Sequence, residues 1–593
     1  MVKKSRKILK ENQNVKRKNK RLEIISVARI SKITIKNYRS IKDLSLCFPE
    51  NKPVILIGEN NVGKSNILKA IDLILGEYWP RNYEPDENEF YNRDPSIQIK
   101  IEVEFSENLG RFKKIIWEYK PEEEEKVNFV GIDSFNQERW PKTEDRENLI
   151  CITIGADRRL FYQLSYKSKS TFLSKLMHRF HKSIQTHPDV KSRLAGKFGE
   201  VKGLFHEIEE FKTFRDSLRT DFSDFIKTMT HKLDIDFEAY NPVNFFHALR
   251  LQVDEGGFPR TIEELGTGEE QILALAFAHA YAKAFHGGVL LAIEEPESNL
   301  YPLAQEYLAR KIEKMSSDGV HIAITTHSPS FVSMLNVEGM CIVRKESDKG
   351  TIITQATKRQ LVDFCVKKGA SRSKVKEENI AEFYHTNATK QILEGFFAKK
   401  IVLVEGPTEA YALPKYLQAV DLDTQREGIA IISVGGKGNI AKWWRMFNVY
   451  KIPTYVIFDN DEEDDKDKKK REDILKTLGE EAIEGVLKEE DTLIKDKYSV
   501  FGKDFETSLR SIFPNYLDLE EEAKDIIEAG AKPFIARYVA EKLVEQKNNE
   551  TEWEEFKTLK ERIQNLSEPL GLDELNEEGD GDELHEDIEN IPF

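Results

Sequence analysis

Gly58-Glu59-Asn60-Asn61-Val62-Gly63-Lys64-Ser65 is the segment that most constrains what this chain can fold into. It follows the short buried-strand run Val54 to Ile57 and opens a helical pattern, the context in which a glycine-rich loop wraps phosphates. Gly58 and Gly63 allow backbone N–H groups to close around an anion, with Asn60 and Asn61 between them, and the following helix N-terminus adds positive potential. Lys64 is placed to reach β- and γ-phosphates and Ser65 to ligate Mg²⁺. A glycine turn before a structural helix is the plainer alternative, but the strand–loop–helix order favours an ATP site. The expected fold class is therefore α/β.

Two downstream segments fit the same site. Leu290-Leu291-Ala292-Ile293-Glu294-Glu295-Pro296-Glu297 is an apolar strand ending in acids. Glu294 is expected in the Mg²⁺ shell, and Glu295 is expected to polarise an attacking water. Thr325-Thr326-His327-Ser328-Pro329 ends another strand, where His327 is suited to sense a γ-phosphate.

A second cluster lies further on. Val404-Glu405-Gly406-Pro407-Thr408-Glu409 follows one strand run, Ile401 to Val404, and Asp459-Asn460-Asp461 ends another, Thr454 to Phe458. Alternate positions at an extended chain end can reach one cation, and a glutamate from the neighbouring strand completes an all-oxygen site for Mg²⁺ or Mn²⁺. Acids continue through Asp465, so a solvated acidic loop is the alternative; Glu405 and the strand context argue against it.

The bulk properties are compatible with both sites. At 593 residues the chain is long enough for two or three domains. With 39% hydrophobic and 33% charged residues it reads as globular. No apolar run approaches the roughly 20 residues of a membrane span, and the basic first residues lack the apolar core of a secretory signal. The 4 cysteines show no metal or redox spacing, which suits a reducing cytoplasm. The net charge of -15 does not exclude DNA as a partner, because local patches decide phosphate contacts. Residues 1–23 read as a basic arm and 571–593 as an acidic tail. Lys, Glu, Phe and Leu at helical spacing predict a helical insertion over about 110–242 within a domain of 24–345. A linker or helical connector over 346–398 and a second α/β domain over 399–570 follow.

The loop, the run Glu264-Leu265-Gly266-Thr267-Gly268-Glu269-Glu270-Gln271, the acidic strand end, Ser298-Asn299-Leu300 and His327 occur in the order seen in ABC-type ATPases of the SMC and RecF kind. Gly266, Thr267 and Gly268 resemble the signature motif, which acts on the nucleotide of a facing protomer. Arg39, in Ile35-Lys36-Asn37-Tyr38-Arg39, resembles an arginine that contacts nucleotide. The chain departs from that pattern at Thr267, at Glu269 and at Glu294, which replaces an aspartate. The Glu405 and Asp459-x-Asp461 pattern is similar to Toprim domains, and an ABC ATPase followed by Toprim resembles the OLD (overcoming lysogenisation defect) family, which includes the nuclease of the Gabija defence system. The resemblance implies Glu405, Glu409, Asp459, Asp461 and Glu506 as metal ligands, with Glu405 a possible general base. It implies Lys532, in Gly530-Ala531-Lys532-Pro533, as a stabiliser of transition-state charge, and Ser433 to Lys437 as a loop lining the site. It further implies a nucleotide-regulated, metal-dependent DNA endonuclease, at least a homodimer with the 110–242 insertion as a dimerisation element, serving antiviral or mobile-element defence with a helicase-like or other partner. The competing expectations are an ATP-driven DNA clamp without strand scission, a topoisomerase or primase relative, and an RNA substrate.

Overall fold

The computed structural model describes residues 28–155 except 77 and 147, then 288–460, 465–480, 487–526, 531–547 and 550–567, with short stretches between 187 and 280. Strands β1 (Arg29–Tyr38), β2 (Ile41–Cys47), β3 (Val54–Ile57), β4 (Ile99–Leu109), β5 (Phe112–Tyr119), β6 (Val127–Asp133), β7 (Glu138–Arg139) and β8 (Leu149–Ile154) come first, with helix α1 (Lys64–Leu75) after β3. A hairpin of β9 (Gln252–Glu255) and β10 (Phe258–Thr261) stands apart; β11 (Gly288–Glu294), α2 (Pro302–Ser317), β12 (His321–Thr326), β13 (Met340–Glu346) and β14 (Gly350–Gln355) return to the main sheet.

That sheet has 12 strands in the order β7-β6-β5-β4-β1-β2-β14-β13-β3-β12-β11-β8. One wing is antiparallel, and β13, β3, β12, β11 and β8 run parallel. Parallel strands are buried on both faces, so their sequences are continuously apolar, with alternate residues facing opposite layers. Leu56, Leu290 and Ala292 pack with Ile67, Leu68 and Ile71 of α1, while Ile55, Ile57, Ile293 and Ile324 face the other layer. Since β12 lies between β3 and β11, the loop after β3, the acids after β11 and His327 after β12 emerge at one edge.

After α3 (Lys358–Lys367) and α4 (Ile380–Asn387) comes a second sheet. It contains β15 (Lys400–Val404), β16 (Ile429–Ser433), β17 (Thr454–Asp459), β18 (Thr492–Ile494) and β19 (Tyr498–Phe501), in the order β16-β15-β17-β19-β18. All are parallel except edge strand β18. Its helices are α5 (Pro407–Ala419), α6 (Lys437–Val449), α7 (Asp465–Leu478), α8 (Phe505–Ile512), α9 (Tyr516–Ile526), α10 (Lys532–Glu545) and α11 (Glu554–Gln564). Val402, Val404, Tyr455 and Ile457 face α5, α10 and α11; Ile401, Leu403, Val456 and Phe458 face α6 and α7. From β15 the chain goes first to β16 on one side and then to β17 on the other, leaving a switch point between the carboxyl ends of β15 and β17, where open parallel sheets bind ligands.

Two sequence expectations are corrected. The helical insertion expected from about 110 does not begin there: β5 to β8 occupy 112–154. The Lys and Glu density that reads as helical is a cross-strand charge ladder. Lys100 pairs with Glu102 and Glu118, and Lys114 with Glu102 and Glu104, on the exposed face of strands whose other face is buried. The described residues between 189 and 213 are helical. The connector expected over 346–398 also changes, because β14 pairs with β13 and belongs to the first sheet. Nor is the rest a loose tether. One apolar core runs from Ile324 and Val337 through Phe364, Tyr384 and Phe396 to Phe447 and Tyr450. Tyr450 Oη donates to the Val337 carbonyl at 2.8 Å, and Arg344 donates to the Lys451 carbonyl at 2.9 Å. The basic arm and the acidic tail lie outside the described residues.

Candidate functional site

The phosphate loop is braced from behind by β13 and β14. A Cβ on Gly58 would stand 2.3 Å from the Val343 carbonyl oxygen. Gly63 has φ +106°, and a Cβ there would meet Thr351 Oγ1 at 2.1 Å, so only glycine fits. Thr351 Oγ1 donates to the Val62 carbonyl at 2.8 Å and lies 2.7 Å from Ser40 Oγ, which accepts from Asn66 Nδ2 at 2.8 Å. Lys64 Nζ donates to the carbonyls of Gly58 and Glu59, both at 2.8 Å, and lies 3.0 Å from His327 Nε2. Burial pulls the Lys64 ammonium below its ordinary range, against the opposing pull of Glu295, Glu297 and Glu59. Burial and Lys64 likewise hold His327 down, favouring a neutral ring.

The acids after β11 surround this cation. Glu295 has φ +46°, a rare conformation for a side chain of its size, held by its N–H donating to the Thr325 carbonyl at 2.9 Å. Its Oε1 lies 3.8 Å from His327 Nε2. Strand alternation puts Glu294 on the α1 side of the sheet, the side of Ser65, which is half-buried in the first turn of α1. Glu297 accepts from the His327 N–H at 2.6 Å, and among the described residues its buried Oε2 meets no hydrogen-bond donor. Asn60 and Asn61 are exposed on the loop, Asn61 with φ +64°. A glycine cradle, a buried lysine satisfied by loop carbonyls and an oxygen-only acid set fit a magnesium nucleotide. Arg39 is committed elsewhere: it donates to Glu89 Oε1 at 2.5 Å and to Tyr38 Oη at 3.2 Å, and Tyr83 Oη holds the same carboxylate. Gly266, Thr267 and Gly268 lie outside the described residues.

The second site sits at the switch point. Glu405 follows β15 and Asp459 ends β17, and the Asp459 N–H donates to Glu405 Oε1 at 2.8 Å. The Glu405 carbonyl accepts from the Gly436 N–H at 2.7 Å, which draws the Ser433 to Lys437 loop against it. Lys437, buried at the start of α6, brings its Nζ to 3.6 Å from Glu405 Oε1. Glu409, in the first turn of α5, is buried, and its Oε2 accepts from the Gly406 N–H at 3.0 Å. Burial first, then the charges of Glu405 and Glu506, push the Glu409 carboxyl up to about 7. Glu506, in the first turn of α8, is thus brought near Glu409. Lys532 opens α10 as an exposed residue, and no hydrogen bond or ion pair joins it to these acids. Asp461 lies outside the described residues, and among those described no three acid, histidine or cysteine side chains form a metal-binding group on their own. The donors are nevertheless all oxygen and mutually repulsive, which fits a hard divalent cation.

Family models match in both regions. Residues 396–461 match the overcoming lysogenization defect protein-like Toprim domain, and residues 54–333 match the AAA domain described as putative AbiEii toxin, type IV TA system. This is an OLD-like pairing of an ATPase domain with a Toprim domain. The chain is similar to the OLD nuclease of Thermus scotoductus, 25% identical over 73% of this chain and 82% of the relative. It is similar to the Old nuclease of Escherichia phage P2, 23% identical over 73% of this chain and 77% of the relative. It is also similar to the endonuclease GajA of Bacillus cereus VD045, 21% identical over 69% of this chain and 71% of the relative.

Several residues of the two domains escape sequence reasoning. Glu89, Ser40 and Thr351 act through partners far away in the chain, with no local pattern to mark them. Asn460 is the spacer of the Asp-x-Asp run, yet it is buried and accepts from Arg471, anchoring the end of β17 to α7. Lys437 lies in the Ser433 to Lys437 loop that the resemblance implies to line the site, whereas Glu297 is marked only as a third acid after the strand end. Among the described residues no helix of the protein is long and apolar enough to cross a membrane.

Proposed function

We propose that the chain is a DNA endonuclease that needs a divalent cation and is governed by ATP bound at the phosphate loop. The observation that carries this reading is the junction of Glu405 and Asp459 across the switch point, with Lys437 and the buried Glu409 facing the same carboxylate. Glu405, Glu409, Asp459 and Glu506 would hold the cation, Mg²⁺ or Mn²⁺; Asp461 joins them, and Lys532 joins the site, on the resemblance of their motifs. When bound, such a cation supplies a nucleophilic water and neutralises charge on the scissile phosphate. The protein's own groups do the rest. The Asp459 N–H orients Glu405 as a proton acceptor, the buried Lys437 ammonium stands 3.6 Å from the same carboxylate, and Glu409 holds a proton near neutral pH unless opposite charge draws it off.

In the ATPase domain, Lys64, Ser65, Glu294, Glu295 and His327 would bind and read the nucleotide, with Gly266 to Gly268 completing the site of a facing protomer in a homodimer. A direct link to the Toprim domain supports nucleotide control: Glu59 of the phosphate loop pairs with Lys399, one residue before β15, at 3.5 Å. The biological role that best suits this chemistry is defence against phage or mobile elements, alone or with a helicase-like partner. The test is cleavage of supercoiled plasmid by the full chain with Mg²⁺ or Mn²⁺, with and without ATP, beside Lys64→Ala. Metal-dependent cleavage whose ATP response disappears in Lys64→Ala is expected. ATP-dependent DNA association with no scission under any condition would replace the proposal with the clamp.

A further inference from the structure

The geometry points to a second small-molecule site, in a cavity where α3 and α4 meet α6, that takes a nucleoside polyphosphate. This inference does not depend on the chain being a nuclease.

The cavity has a volume of about 500 Å³, within the range of small-ligand sites. One wall is apolar and aromatic, made by Val375, Ile380, Phe383 and Tyr384. The Phe383 and Tyr384 rings stand 5.3 Å apart at 77°, and Tyr384 is fixed by its hydroxyl donating to the Lys442 carbonyl at 2.9 Å. The other wall is cationic, with Lys374, Lys376, Lys442 and Arg445.

The Arg445 charge is already met, since it donates to Asp473 Oδ1 and to Thr477 Oγ1, both at 2.6 Å. The three lysines differ. Among the described residues none of them forms an ion pair with a carboxylate. Lys442 Nζ lies 5.1 Å from the centre of the Phe383 ring, and the acid whose charge reaches it, Asp473, is already bound to Arg445. Burial, with the Arg445 charge beside it, holds its ammonium below the ordinary lysine range against the opposing pull of Asp473. Three like charges around one concavity repel one another. A single carboxylate would neutralise only one, whereas a di- or triphosphate answers all three with charge-assisted hydrogen bonds. An aromatic wall beside such a group is what a purine or pyrimidine ring stacks against. The concave shape favours a compact ligand over a strand of nucleic acid.

The site shares no residue with the phosphate loop. It does share α6 with the Toprim site: Lys442 and Arg445 lie on the helix whose first residue, Lys437, stands beside Glu405. A ligand drawing on Lys442 therefore acts on the element that sets the charge next to Glu405.

The experiment is calorimetric titration of ATP, and separately of inorganic triphosphate, into the full chain carrying Lys64→Ala, which disables the phosphate loop. Saturable binding of one ATP per chain is expected, with triphosphate weaker because it has no ring to stack. Adding Lys442→Gln should weaken ATP by about tenfold, and adding Phe383→Ala should narrow the difference between ATP and triphosphate. Absence of saturable ATP binding to the Lys64→Ala chain would overturn the proposal, whatever the other variants do. So would ATP binding that neither added substitution changes in chains with an unaltered melting temperature.

Discussion

Glu409 offers the most quantitative prediction. Its carboxyl is buried and moved from the ordinary 4.5 to about 7. Each tenfold change in acidity is about 1.4 kcal/mol, so ionising this group in the cation-free fold costs about 3 kcal/mol more than ionising it in the unfolded chain. The sign follows from linkage. Between about 4.5 and 7 the unfolded chain has released the proton while the folded chain retains it, so stability falls as pH rises through this window. The loss is complete above about 7 and absent below 4.5. Glu409→Gln keeps an acceptor for the Gly406 N–H but cannot ionise. In EDTA the variant should match the wild type near pH 4.5 and exceed it by up to about 3 kcal/mol at pH 8. Urea unfolding followed by tryptophan fluorescence would read this, because Trp443, Trp444 and Trp553 all lie in the Toprim domain. Adding Mn²⁺ at pH 8 should reverse the order, stabilising the wild type far more than the variant. A stability difference that is the same at both pH values, or a variant less stable at pH 8 in EDTA, would refute the reasoning.

Three further outcomes are expected. Gly63→Ala forces a Cβ to 2.1 Å from Thr351 Oγ1 at a φ of +106°, and should cost about 2 kcal/mol and abolish ATP binding, read by thermal melting and nucleotide titration. Lys437→Met removes a buried cation 3.6 Å from Glu405; it should destabilise the cation-free chain by about 3 kcal/mol, with saturating Mn²⁺ restoring most of the loss in a melting series. Asn460→Ala removes the side-chain acceptor that Arg471 uses at the end of β17, and should lower DNA cleavage while leaving ATP binding to the phosphate loop unchanged.

The phosphate loop and the two strand-end acid clusters were legible in the sequence because each is local: a few residues within one strand–loop–helix turn carry the pattern. The resemblance built on them anticipated the pairing of ATPase and Toprim domains. Expectations failed where the deciding contacts are distant. The Lys and Glu alternation of β4 and β5 resembles helical composition until partner strands are known to place Lys114 opposite Glu104 and diagonal to Glu102. Strand β14 follows a polar stretch and is recognisable only through its pairing with β13. Some partners are also invisible to spacing: Arg39, expected to contact nucleotide, pairs with Glu89, 50 residues away. The strained Glu295 backbone likewise has no sequence signature, since its stabilising carbonyl belongs to β12.

The most direct test of the central claim is the rate at which Mn²⁺-loaded full chain cleaves plasmid DNA, measured for the wild type, Glu405→Ala and Asp459→Ala at matched protein stability. The predicted result is scission by the wild type and none by either variant, with ATP binding intact in all three. Cleavage persisting at wild-type rate in both variants would contradict the assignment of the chemistry to the β15–β17 switch point.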